Sequence, residues 1–447
     1  MSASDIFLLG SSGLRAYQTQ LATISQNIAN VGSENYTRRT TTISESVISG
    51  SSNILYKQYA NFGGANATGI TRSSDSYLEA RVRSTGADLS YAKSYLKWVN
   101  NVESALNDDE TGVGTMLTNF YSSVDQLAAN PADSSLRTSM LYRLEQVVSA
   151  FHTSSSDLES VLDQSYASVE SDIGLLNNAL SALQDINKSI NIAADNSAHK
   201  AQLLDSRDSL LKTISSKLNV SISFSGSGAA TVTYDSQTIA STTTAATFSV
   251  SQNPDKTIAL SLGGTAVAAP TNGTLGGDFA GSANARDRLN SLDAMAVQLA
   301  DDLNAWHRQG YTDGTPGSTN IDLLSVGTTA ASLSVAIGSI DDIAVKSADG
   351  TINGNLVGIG AVREASDIES QWTKLVTAQG NLVSTVTDKQ VLAENRDEIA
   401  RNAREEVSGV NLDVEAADLL RVQQAYQACA RVVQAARDII DSILNLR

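Results

Sequence analysis

Residues 412–446 read LDVEAADLLRVQQAYQACARVVQAARDIIDSILNL, and their apolar positions decide the architecture. Leu419, Val422, Tyr426, Cys429, Val433, Ala436, Ile440 and Ile443 alternate steps of three and four residues. That spacing fills the a and d positions of a heptad and draws one seam along a helix. At the other end of the chain, Leu14, Tyr17, Leu21, Ile24, Ile28 and Val31 keep the same rhythm. Each seam wants a partner helix. A chain whose two ends both ask for helical partners is expected to pair its own termini and offer the pair to neighbours, as a subunit of a filament or tube does. The two stripes are therefore the candidate assembly interface.

Working inward, the helix 412–446 spans roughly 50 Å and a helix over 5–31 roughly 40 Å at 1.5 Å per residue. Asn411 is placed to cap the former, after a break at Ser408-Gly409, and Asn30 and Gly32 to stop the latter. Residues 33–87 are rich in Ser, Thr, Asn and Gly and read as loop with short extended pieces. Helical periodicity returns over 88–107, stops at the acidic turn Asp108-Asp109-Glu110, and resumes over 113–129 and through much of 133–219. At about Val220 the period changes to two. Phe248 and Val250 face Ile258, Leu260 and Leu262 across Asn253-Pro254-Asp255-Lys256, a hairpin signal. Helix is expected again from Ala285 to about Trp306 and over 361–406, with a mixed, Gly-rich stretch between. The prolines (Pro131, Pro254, Pro270, Pro316) all fall between periodic segments.

The expected fold is mainly α with a small β insert: paired N- and C-terminal coiled-coil helices, an elongated helical domain, and an inserted β domain. The expected boundaries are 1–35 for the N-terminal helix, 36–220 and 284–407 for the two parts of the helical domain, 221–283 for the insert, and 408–447 for the C-terminal helix. The insert is low in charge, and its flanking helices are expected to pack without it.

A length of 447 residues fits about three domains. The net charge of −17 argues against nucleic acid, which needs clustered Lys and Arg, and against an anionic membrane surface. One cysteine, Cys429, excludes an internal disulfide framework. No cleavable signal peptide and no run of apolar residues long enough for a transmembrane helix is found.

Nothing in the sequence converges on chemistry. His152, His199 and His307 are widely spaced, with no second His or Cys at metal-ligand spacing. Cys429 sits at a stripe position between Ala428 and Ala430 and reads as a small core residue. His307 follows Trp306 at a helix end and reads as an imidazole near the helix dipole. Gly276-Gly277 and Gly281 lack the Gly-Lys-Ser/Thr of a phosphate loop and read as a turn into a helix. Arg38-Arg39 is either a solvated pair or an interface contact. Asp205-Arg207-Asp208 and Arg286-Asp287-Arg288 read as surface ion pairs worth little each. No catalytic residue, metal site or cofactor is assigned.

The ends carry a resemblance. Ser12-Gly13-Leu14-Arg15-Ala16 through Gln26-Asn27-Ile28-Ala29-Asn30-Val31 resembles the N-terminal signature of flagellar rod, hook and hook-associated proteins. Ser408-Gly409-Val410-Asn411-Leu412-Asp413, Glu415-Ala416-Ala417, Gln423 to Ala428 and Leu444-Asn445-Leu446 are similar to the C-terminal signature of the same axial family. Leu203-Leu204-Asp205-Ser206-Arg207-Asp208-Ser209-Leu210-Leu211, Gly114 to Phe120 with Asn130-Pro131, and Leu303-Asn304-Ala305-Trp306-His307 with Gly310 resemble interior segments of its hook-associated members. The family commonly has a Thr-Pro-Gly-Tyr turn after the first helix. Here the turn is Ser33-Glu34-Asn35-Tyr36, which keeps the tyrosine and the following arginine but not Pro-Gly.

The resemblance implies a structural subunit, not an enzyme, at the junction between hook and filament. It implies secretion through the flagellar export apparatus and a ring-like or helical homo-assembly. The partners it implies are the hook protein, a second junction protein or flagellin on the filament side, and an export chaperone on the C-terminal helix. A hook or distal-rod protein of the same family is the alternative, but its middle should be mostly β. A lone subunit cannot bury both faces of an end helix, so these helices are expected to order mainly under neighbours.

Overall fold

The computed structural model describes residues 3–45, 63–106, 109–314 and 317–444. Part of the predicted loop (46–62), Asp108 of the acidic turn, Pro316 and the Asn445-Leu446 end of the C-terminal signature lie outside the described residues.

Helix α1 (Ala3–Ala29) ends at Asn30, and the chain turns into a two-stranded antiparallel ribbon, β1 (Arg39–Glu45) against β2 (Ala65–Arg72). Helices α2 (Ser76–Leu106), α3 (Val113–Ala129), α4 (Ser134–Ile192) and α5 (Ala198–Lys217) follow. Strands β3 (Ser221–Phe224), β4 (Ala230–Tyr234) and β5 (Gln237–Ala240) form one antiparallel sheet. Strands β6 (Phe248–Gln252), β7 (Ile258–Leu262) and β8 (Thr265–Ala266) form another. After α6 (Gly273–His307) come the short pair β9 (Leu324–Ser325) and β10 (Ser334–Val335) and the short helices α7 (Gly354–Val357) and α8 (Ile359–Ser366). The long α9 (Ile368–Ser408) and α10 (Leu412–Leu444) close the chain.

Most of the expected helices are present, with their predicted punctuation. Asn411 caps α10, its Oδ1 accepting the N–H of Asp413 at 3.0 Å and of Val414 at 3.3 Å. Asp133 caps α4 in the same way through Ser135 and Leu136. The predicted hairpin forms in register, Phe248 opposite Leu262 and Val250 opposite Leu260.

Two helices begin earlier than periodicity indicates. Helix α2 starts at Ser76, where the Asp75 carboxylate accepts the N–H groups of Tyr77 (2.8 Å) and Leu78 (3.1 Å). Its first turns are polar and carry Gly86, so propensity is weak there. Burial of Val82, Arg83 and Ala87 against neighbouring helices fixes them instead. Helix α6 starts at Gly273, so Gly276, Gly277 and Gly281 lie inside a helix and not in a turn. They permit close approach to α2. A Cβ on Gly277 would stand 2.6 Å from the Tyr91 carbonyl oxygen, and one on Gly281 would overlap the Trp98 side chain.

The 59-residue α4, roughly 90 Å long, is the spine of the molecule. Its first half (Met140, Leu144, Phe151, Leu158) joins the larger core with Trp98, Phe120, Leu292 and Trp372. Its second half (Val169, Ile173, Leu176, Leu180, Leu183) shares a second core with Leu211 and Ile214 of α5 and Leu275 of α6. Val232, Tyr234, Ile239, Phe248, Leu260 and Leu262 of the two sheets complete that second core. The helices therefore do not pack independently of the β segment. Each sheet has too few strands to bury an apolar face alone, so α4 and α5 supply the other side.

Candidate assembly interface

Helices α1 and α10 run antiparallel, with Gly10 against Val433, Gly13 against Cys429, and Asn27 against Glu415. Small residues set their spacing. A Cβ on Gly13 would lie 2.8 Å from Cys429 Sγ, and one on Gly10 would lie 2.8 Å from Val433 Cγ2. Gly10, Gly13 and Ala16 are buried one helical step apart. Cys429 is partly buried, and burial raises its thiol pKa. It is a packing residue here, as its stripe position indicated.

The stripes run along this pair. Ile24, Val422 and Ala436 are buried by the chain's own residues. Leu14, Tyr17, Leu21, Ile28, Leu419, Tyr426, Cys429, Val433 and Ile440 are partly buried. Val31, beyond the end of α1, and Ile443 stay exposed, the latter at 59%. Large apolar side chains off the stripes are also left in solvent, among them Leu8 (65% exposed), Leu420 (61%), Val432 and Ile439. A pair buried only on one side keeps an apolar face to cover.

The foot of the pair is a polar joint. Asn27 Nδ2 donates to the Arg39 carbonyl at 2.9 Å and to Glu415 Oε2 at 3.0 Å. Its Oδ1 accepts from Tyr36 Oη at 2.8 Å and from the Arg39 N–H at 3.0 Å. Burial pushes the Tyr36 hydroxyl pKa up, which keeps it a donor. Arg38 Nε meets the buried Glu415 at 2.7 Å, and the Arg38 N–H reaches the Ser408 carbonyl at 2.9 Å. One asparagine thus ties the end of α1, the turn and the start of α10 together.

The joint continues into the body. Arg39 Nη2 pairs with Asp205 at 2.7 Å, Arg72 Nε with Asp205 at 2.8 Å, and Arg72 Nη2 with Asp208 at 2.7 Å. All four residues are largely buried. This corrects the reading of Asp205-Arg207-Asp208 as a surface cluster. It also settles Arg38-Arg39 as an internal contact: Arg38 holds α10 and Arg39 holds α5. Removing one partner of such a network costs about 3–5 kcal/mol, because the other charge is left buried. Glu34, in the turn, pairs with Lys212 of α5 and with Arg401 of α9, and the Lys212 hydrogen bond holds its carboxyl below the usual range.

The Leu303–His307 segment does similar work at the other end. Asn304 Oδ1 accepts the N–H groups of Leu323 (2.8 Å) and Leu324 (2.9 Å). Trp306 Nε1 donates to the Asn355 carbonyl at 2.8 Å. His307 is fully buried, with Nδ1 at 2.8 Å from the Ile321 carbonyl and Nε2 accepting the Ala344 N–H at 3.0 Å. It is a neutral ring pinning the 311–360 stretch, not a charge facing the helix dipole, and burial lowers its pKa. Among the described residues no cluster is arranged to hold a metal ion, and no helix is long and apolar enough to cross a membrane.

Residues 99–320 match the model of the flagellar hook-associated protein FlgK helical domain. Residues 401–446 match that of the flagellar basal body rod FlgEFG protein C-terminal. Flagellar hook-associated protein 1 of Bacillus subtilis is 24% identical over 97% of this chain and 96% of its own length. The proteins of the same name from Salmonella typhimurium and Escherichia coli are 23% and 21% identical, each with 98% of both chains covered. The chain belongs to the flagellar hook-associated protein 1 family. A solved structure titled as the flagellar hook junction protein FlgK from Burkholderia pseudomallei shares the fold at a TM-score of 0.50 and 19% identity. That match covers 55% of this chain and 46% of that one.

In this hook-associated protein 1 relative the recognisable segments lie at joints. The N-terminal signature supplies Asn27, the C-terminal one Glu415, and the Leu203–Leu211 segment supplies Asp205 and Asp208. Sequence reading missed Gly10, Asn27, Arg72 and Glu415 as a set. The visible signals were small residues at three-residue steps beside a stripe, and polar residues inside otherwise apolar signatures.

Proposed function

We propose that this chain, a structural subunit of the bacterial flagellum at the hook–filament junction, assembles through its α1–α10 pair. The observation that carries this is the apolar face of that pair, with Leu8, Leu420, Val432, Ile439 and Ile443 open to solvent beside partly buried stripe residues. Full burial of such a side chain contributes about 1.5–3 kcal/mol, and covering the part of each that is still exposed contributes a share of that, so neighbouring copies that cover the face stabilise it. Val31 and the partly buried stripe positions Leu14, Tyr17, Leu21, Ile28, Leu419, Tyr426, Cys429, Val433 and Ile440 form the margin of the proposed interface, while Ile24, Val422 and Ala436 are already buried within the pair.

The hook protein on one side, and a second junction protein or flagellin on the other, are the partners this reading requires. An export chaperone covering α10 before secretion through the flagellar apparatus fits the same face. The division into a terminal pair (1–35 with 408–447), a helical body (36–220 and 284–407) and a β segment (221–283) belongs to the same proposal, except that 273–283 is the start of α6 and moves to the helical body. The alternative of a hook or distal-rod protein is disfavoured by a middle that is mostly helix.

A tagged chain, produced in a flagellated cell lacking its own copy, should be found by electron microscopy of labelled flagella at the hook–filament boundary. Label along the whole hook or in the rod would select the alternative.

A further inference from the structure

Beside the joint lies a cavity of about 320 Å³, bounded by the turn after α1, by α2, α5 and α9, and by Val410 before α10. Its cations are engaged with one exception. Lys212 and Arg401 hold Glu34, and Arg404 pairs with Glu79 at 2.8 Å. Arg83 of α2 lines the same cavity and is 8% exposed. Among the described residues it makes no ion pair or hydrogen bond. The acids whose fields reach it, Asp208 and Glu79, are taken by Arg72 and Arg207 and by Arg404. Glu405 also lines the cavity and is exposed to solvent.

Arg83 is largely buried yet has no protein acceptor among the described residues, and its planar fork of donors matches the paired oxygens of a carboxylate or phosphate, of which the carboxylate is the one a protein side chain supplies. We infer that this cavity is a receptor for a carboxylate side chain of a neighbouring copy of the chain, with Arg83 as its anchor. The inference rests on the assembly reading above. Two observations favour a second copy. Asn30, Val31 and Gly32 form part of the cavity wall, so the cavity adjoins the end of the helix pair whose apolar face needs covering. The chain also carries 48 Asp and Glu against 31 Lys and Arg, so each copy presents acidic side chains in excess. An acidic group entering here would register a neighbour against the joint, where α1, α5, α9 and α10 converge.

The test compares the full chain with Arg83→Gln and Arg83→Lys, and with Ile439→Asp as a control on the apolar face. Melting temperature of the monomer and the concentration at half-assembly are measured for each. The isolated Arg83→Gln monomer should melt at the same temperature as the native chain or higher, because an unpaired buried charge has been removed. Its half-assembly concentration should rise by about tenfold or more, with Arg83→Lys in between. Acetate, compared with chloride at equal ionic strength, should raise the melting temperature of the native monomer and not that of Arg83→Gln. A lower melting temperature for Arg83→Gln would make Arg83 a structural residue and overturn the inference. So would an equal response of both chains to acetate. If Arg83→Gln assembles normally while Ile439→Asp does not, the receptor is wrong and the helix-pair reading stands. If both assemble normally, both readings fall.

Discussion

Asn27 and Glu415 stand 388 positions apart in the chain and meet through a 3.0 Å hydrogen bond in a buried site. The contact joins the last turn of α1 to the first turn of α10. It ties the foot of the pair together and leaves the length of the two helices beyond it to be covered by neighbours. The same asparagine holds Tyr36 and the Arg39 backbone, so the angle at which the pair leaves the body is fixed by one side chain with all its bonding groups in use.

Close approach of the two helices makes Gly13 a sensitive position. Gly13→Val places a branched side chain where Cys429 Sγ sits, and overpacking of that kind costs about 1–3 kcal/mol. The pair should loosen, seen as faster amide exchange over α1 and α10 in assembled material, while the melting of the body stays put. Adding Cys429→Ala should recover much of the loss. Failure of the second change to rescue the first would mean the contact does not set the spacing.

Removal of residues 221–266 behind a short Gly-Ser bridge should destabilise the helical body. Leu176, Leu180 and Leu183 of α4 and Leu211 and Ile214 of α5 would lose their cover. At about 1.5–3 kcal/mol for each side chain the loss is comparable to the whole stability of an ordinary domain. Circular dichroism on heating should show the distal half of α4 melting early or never forming. An unchanged transition would show that the sheets are accessory after all.

His307 gives the body a pH dependence of definite sign. Its ring is neutral when folded, and burial holds its pKa below the ordinary value of 6.5. The unfolded chain takes up a proton on falling through that ordinary value, and the folded chain does so only at lower pH. The contribution is therefore complete above the ordinary pKa and is lost progressively below it. His307→Gln should lower stability at neutral pH and flatten the decline on mild acidification, measured as melting temperature against pH. A slope identical to that of the native chain would remove the histidine from the account.

Much of the helical order was legible in the sequence because heptad spacing, caps and the hairpin turn are local signals. Asn411 and the 248–262 hairpin are examples. The early starts of α2 and α6 were not legible, because tertiary burial around Arg83 and close contact at Gly277 and Gly281 override weak propensity. The stripes are visible in the sequence, but periodicity alone does not say whether a seam is filled by the same chain or by another copy. The buried joint was hidden for a different reason. Charged residues such as Arg39, Arg72 and Asp205 are usually exposed, and only the fold brings them together.

The central claim is that the α1–α10 pair is completed by neighbouring copies. Amide hydrogen exchange over 5–29 and 412–443, measured on dilute monomer and on assembled material, tests it most directly. The account predicts fast exchange there in the monomer relative to the middle of α4, and strong protection on assembly. Equal protection in both states, at the level of α4, would contradict it.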